Sequence, residues 1–133
     1  MTTRSARLRA VIKRWALPLA ILWTLALLSA LFLPASALPS SGLLEADKLV
    51  HLVLFAGFAG LWMVALGDTL RGAAIYILVL GVSYGVLTEL GQQWLSSGRK
   101  ADPWDAVADT IGVIVGIVAF RIWRRVHPAA EKM

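Results

Sequence analysis

The chain has 133 residues, 59% of them hydrophobic and 16% charged, with a mean hydropathy of +0.74. A water-soluble domain carries roughly a quarter charged residues, so this chain has more apolar surface than one small core can bury and is expected to be an integral membrane protein. Four spans use up the length, which excludes a separate soluble domain for a nucleotide cofactor or for nucleic acid. The net charge of +5 is therefore read as membrane topology, and the absence of cysteine excludes disulfides and thiolate metal sites.

The expected fold is all-α, a bundle of four transmembrane helices. A basic segment, residues 1–14, precedes a first uncharged run at 15–33, whose 19 residues would cover about 28 Å, close to the thickness of a bilayer core. The second span, 49–66, carries His51 near its start. Residues 67–71 are just enough to join antiparallel neighbours, and they lead to a third span at 72–94 whose uncharged run stops at Glu89. The fourth span, 104–120, contains Asp109. Residues 15–123 thus form one membrane domain, followed by a basic tail at 124–133. Ala35-Ser36-Ala37 has the small-x-small form of a signal-peptidase site, but 19 uncharged residues exceed the usual 7 to 15 or so of the apolar core of a signal peptide, so a retained helix is expected.

Basic residues fix the expected orientation. Arg4, Arg7, Arg9, Lys13 and Arg14 precede span one, Arg71 lies in the short turn, and Arg121, Arg124, Arg125 and Lys132 follow span four. These ten lie on one side, against Lys48, Arg99 and Lys100 on the other, and the side richer in Lys and Arg is cytoplasmic. Both termini are then inside and the two longer connectors outside.

That topology gathers the polar residues on the outer face. Asp47, Lys48 and His51 open span two, Glu89, Gln92 and Gln93 close span three, and Arg99, Asp102, Asp105 and Asp109 lead into span four. Taking Trp94 and Trp104 as interface anchors, Glu89 and Asp109 each lie five residues, about 7 Å, deeper. A carboxylate at the span centre costs about 2.5–3.5 kcal/mol, and less near the interface, so both should face the bundle and find partners among Lys48, His51 and Arg99. Asp102, Asp105, Asp109, Gly112 and Gly116 step by three and four along one helix face, acidic above and Gly-x-x-x-Gly below; the glycines allow close helix approach. Asp102 before Pro103 also suits a helix N-cap, with Asp105 in the first turn; Asp47 could cap span two. The six tryptophans are expected mainly as an interface belt.

These residues resemble the VanZ-like family of small bacterial membrane proteins. The resemblance rests on Asp47-Lys48-x-x-His51 followed by Phe55, on Glu89-x-x-Gln92, and on Arg99-x-x-Asp102-x-x-Asp105-x-x-x-Asp109-x-x-Gly112-x-x-x-Gly116. One position departs from the pattern: Asp109 stands where the family usually has Asn. The resemblance implies a multi-pass protein of the bacterial cytoplasmic membrane, and it links the family's named member to lowered susceptibility to teicoplanin. It supplies no reaction.

Function remains open among four readings. The outward cluster could bind an envelope lipid or a glycopeptide-type molecule, gripping a polar head while apolar helices take an acyl chain. It could instead be a static ion-pair lock in a membrane scaffold, or part of a proton-coupled transporter. An enzyme using Glu89 or His51 as base is the least supported, since no Ser-His-Asp spacing, phosphate loop or His-x-x-x-His pair is present. No catalytic residue, cofactor or metal is therefore assigned. A mixed site of His51, Glu89 and Asp109 is chemically open, but Lys48 and Arg99 should compete with a cation for the same carboxylates. Membrane lipids are the expected surroundings, and nucleic acid is not an expected partner.

Overall fold

A computed structural model describes residues 4–30, 44–95 and 100–127. Four helices follow one another: α1 (Arg4–Ser29), α2 (Leu44–Leu66), α3 (Ala73–Leu95) and α4 (Pro103–Val126). Each is long and apolar enough to cross a membrane, and the described residues contain no strand. The helices overrun the uncharged runs at several ends. Arg4 to Arg14 continue as helix before the first apolar stretch, and Arg121 to Val126 continue it after the last, because Arg and Lys are good helix formers whose long stems let the charge reach the interface. The signal-peptidase-like sequence at 35–37 lies outside the described residues.

Large apolar side chains lie outward on every helix, among them Leu22, Val53, Leu80 and Ile114, as expected for surface that meets lipid. About a tenth of the α1 span is buried against the rest of the bundle (11%), compared with 39% for α4, so α1 is the peripheral helix. The most extensive helix contact is between α2 and α4. Its cause is backbone proximity: a Cβ at Gly112 would overlap the Leu52 carbonyl oxygen, and one at Gly116 the Ala56 carbonyl oxygen. On α3, Gly81 faces Val113 and Gly85 faces Asp109, so a second small-residue stripe brings α3 against α4. Phe55, Phe58, Ile77, Val113, Ile117 and Phe120 fill the space between.

Hydrogen bonds at mid-bundle attach α1. The Trp23 indole donates to the Leu54 carbonyl at 2.9 Å, Trp62 donates to Thr24 Oγ1 at 3.1 Å, and the Tyr84 hydroxyl donates to the Thr24 carbonyl at 2.8 Å. Trp23 and Trp62 are thus not belt residues. With no water in the bilayer core, their N–H groups are satisfied inside the bundle, whereas Trp94 and Trp104 are 78% and 67% exposed, as interface anchors should be.

The turn between α2 and α3 relies on Gly72, whose φ of +78° is a conformation that side chains with a Cβ rarely adopt. There Asp68 pairs with Lys13 of α1 at 3.0 Å and with Arg124 of α4 at 3.1 Å, tying three parts of the chain together at the end opposite the polar cluster. All three side chains are substantially exposed, so these pairs position the helix ends more than they stabilise them.

Candidate functional site

At the other end of the bundle, three helices bring ionisable groups together in two layers. The upper layer is set by the start of α4. Asp102 is its N-cap: the backbone is extended (φ −111°, ψ 112°), the side chain accepts from Trp104 N–H at 2.9 Å, and Pro103 occupies the first helical position, where no N–H is needed. Lys48, from the second turn of α2, donates to Asp102 Oδ2 at 3.0 Å and to Asp105 Oδ1 at 3.3 Å. The Trp104 N–H first, and Lys48 second, hold the Asp102 carboxyl below its usual range.

The lower layer is buried. His51, one turn down α2 from Lys48, presents Nδ1 to Asp109 Oδ1 at 2.9 Å; the same nitrogen lies 4.0 Å from Glu89 Oε1, and Nε2 lies 3.9 Å from Asp105 Oδ2. One imidazole is thereby surrounded by three carboxyl groups from α3 and α4. Glu89 also reaches upward, its Oε2 accepting from the Asp102 backbone N–H at 3.2 Å, which ties α3 to the cap of α4. Asp109 is fully buried and Glu89 only 4% exposed, yet Asp109 Oδ2 and Glu89 Oε1 have no hydrogen-bond partner among the described residues. A buried acceptor left unpaired costs about 1–3 kcal/mol, and most such groups in native proteins have a partner.

Asp47, Lys48, His51, Glu89, Asp102, Asp105 and Asp109 therefore meet at one end of the bundle. Gln92, one turn beyond Glu89, is buried on the same helix face. Arg99 lies outside the described residues. One expectation is corrected. Asp47 is not a helix cap, because α2 begins three residues earlier at Leu44 and leaves Asp47 inside the helix, near His51 and Asp105. Of the three side chains expected as partners for Glu89 and Asp109, His51 is the one among the described residues that meets them; Lys48 sits a turn above it and is taken by Asp102 and Asp105. Gly85 is a site residue that sequence reasoning passed over. A Cβ there would stand 3.0 Å from Asp109 Oδ2, so this glycine makes the space the buried carboxylate occupies. Its signal was present in Gly81-x-x-x-Gly85, the same pattern recognised at Gly112 and Gly116.

A family model described as VanZ/LLP1 matches residues 8–124, which takes in all of α2 and α3, most of α1 and α4, and the whole cluster. The chain belongs to the VanZ/LLP1 family. No curated protein and no solved structure was found to match it. In this VanZ-family chain the residues that carried the resemblance have distinct places: Lys48, Asp102 and Asp105 form the upper layer, and His51, Glu89 and Asp109 the lower. Phe55, one turn further along α2 from His51, is buried and in ring contact with Phe58 and Tyr84.

Proposed function

We propose that this VanZ-family membrane protein binds the polar head of an envelope amphiphile, a lipid or a glycopeptide of the teicoplanin type, at the cluster around His51, and that this binding lowers teicoplanin susceptibility. The ten-to-three basic bias supports cytoplasmic termini, which opens the cluster to the outer face of the bacterial cytoplasmic membrane. The observation that carries the reading is the pair of buried, unpaired acceptors, Glu89 Oε1 and Asp109 Oδ2. A static lock gains nothing from acceptors left over, whereas a binding site needs groups that a ligand can satisfy. The acidic groups Asp47, Glu89, Asp102, Asp105 and Asp109 also outnumber the basic Lys48, Arg99 and Lys100 of the same stretches of sequence by two, so bound donors or positive charge would complete the site. Arg99, from the adjoining connector, is assigned to the ligand's anionic group.

The test is teicoplanin susceptibility of cells expressing wild type, Glu89→Gln, Asp105→Asn or Arg99→Gln at matched membrane abundance. Loss of the tolerance conferred by wild type in all three variants, at unchanged abundance, is the expected result. Variants that vanish from the membrane would mark the cluster as structural, and variants that keep full tolerance would remove it from function.

A further inference from the structure

The lower layer has the composition of a cation site as well as of an ion-pair network. His51, Glu89 and Asp109 come from three different helices, and each offers one ligand atom such that all three atoms lie within 4.8 Å of one another. A Zn2+ or Mn2+ ion bound about 2.1 Å from each of three donors needs those donors about 3–4 Å apart, so movements of about 1 Å or less would close the set on an ion. Two of the oxygens, Glu89 Oε1 and Asp109 Oδ2, are buried and take no hydrogen bond among the described residues. Of the two side chains expected to compete with a cation, Lys48 is held in the upper layer by Asp102 and Asp105, and Arg99 lies outside the described residues.

We propose that His51, Glu89 and Asp109 hold one divalent transition-metal cation, Zn2+ or Mn2+. One imidazole nitrogen with two carboxylates favours these ions over Mg2+ and Ca2+, which take oxygen donors and keep more water. The ion places its positive charge against the acidic surplus of the cluster. Three protein donors leave coordination positions open, and an anionic oxygen of a phosphate-bearing or carboxylate-bearing head group fits there. Gly85 takes part by leaving room at Asp109 Oδ2 for that oxygen to turn toward the ion. Asp105 places its second oxygen 3.9 Å from His51 Nε2, beyond hydrogen-bond range, and a shift of about 1 Å would make it a positioning residue on the other ring nitrogen.

The inference rests on the preceding reading in using the same cluster, and its test does not involve the drug. The full chain, purified in detergent micelles and stripped with chelator, is dialysed against Zn2+ or Mn2+ and its metal content measured by mass spectrometry. One equivalent per chain is expected. Glu89→Gln and Asp109→Asn should weaken binding at least tenfold, with Asp68→Asn at the opposite end unchanged. Electron paramagnetic resonance of the Mn2+-loaded wild type should show coupling to one nitrogen, so the proposal stays testable even if a variant fails to fold. Binding below about 0.2 equivalent, binding unaffected by Asp109→Asn, a nitrogen-free spectrum, or equal affinity for Ca2+ and Mg2+ would each overturn it. Arg99→Gln separates the two claims: it should keep the cation and lose teicoplanin tolerance. Tolerance retained there counts against the binding reading alone, and metal retained in Asp109→Asn counts against the cation alone.

Discussion

Gly112→Ala adds one methyl group where α2 and α4 touch. Its carbon would overlap the Leu52 carbonyl oxygen and stand 3.1 Å from Ala56 N and from the Leu52 carbonyl carbon. All three are backbone atoms of a continuous helix, so no side-chain rotation relieves the clash. Restoring ordinary contact requires the helices to separate locally by about 1 Å, and a gap of that size forfeits a quarter to a half of the dispersion energy of each atom pair it opens. Overpacking of this kind costs about 1–3 kcal/mol, or roughly a 5- to 150-fold fall in the folded ratio. The same separation would stretch the 2.9 Å contact between His51 and Asp109 beyond hydrogen-bonding range, because those residues lie on the same two helices one turn away. Gly60→Ala is the matched control: a Cβ there meets nothing within 4 Å, and alanine gains helix propensity of up to about 1 kcal/mol over glycine. Reversible unfolding of both variants in mixed detergent micelles, followed by helical circular dichroism, should find Gly112→Ala markedly less stable than wild type and Gly60→Ala equal or better. Equal stability of the two alanine variants would refute the claim that backbone proximity at Gly112 sets the α2–α4 packing.

Three further outcomes are expected. Reporter fusions at residue 133 and within the 96–101 connector should report opposite sides of the membrane; the same side for both would contradict the orientation drawn from the basic residues. Trp23→Phe removes the indole bond to the Leu54 carbonyl and should cost about 0.6 kcal/mol, typical of a hydrogen bond between membrane helices, while Trp94→Phe at an exposed position should cost nothing measurable by the same unfolding assay. The lowered pKa of Asp102 means that its charge stabilises the fold above the unfolded value of about 3.9 and that this contribution fades as pH falls through the folded value. Asp102→Asn, which can still cap α4, should therefore melt below wild type at pH 6, with the difference closing below about pH 4.

Much of this arrangement was legible in the sequence because a helix has a fixed period. Steps of three and four placed Lys48 and His51 on one face of α2 and Asp102, Asp105 and Asp109 on one face of α4, and the cost of a charge in lipid required Glu89 and Asp109 to face inward. Capping by Asp102 followed from Asp-Pro at a helix start. The relative height and rotation of neighbouring helices was not legible, since periodicity orders residues along one helix and says nothing of its offset from the next. That offset decides that Lys48 meets Asp102 and Asp105 rather than Glu89 or Asp109. It also decides that Gly85 meets Asp109 and that Trp23 meets a carbonyl of α2 instead of the interface. For Asp47, cap and cluster were both open readings, and the start of α2 at Leu44, before its charged residues, decides for the cluster where hydropathy alone gives no boundary.

The claim on which the account turns is that the cluster around His51 receives a molecule from outside the chain. Native mass spectrometry of the full chain, released from membranes in mild detergent with teicoplanin or extracted envelope lipid added, reads this directly. Wild type and Asp68→Asn should carry a discrete bound mass that Glu89→Gln loses while remaining folded. An identical mass spectrum for wild type and Glu89→Gln, with either addition, would contradict it.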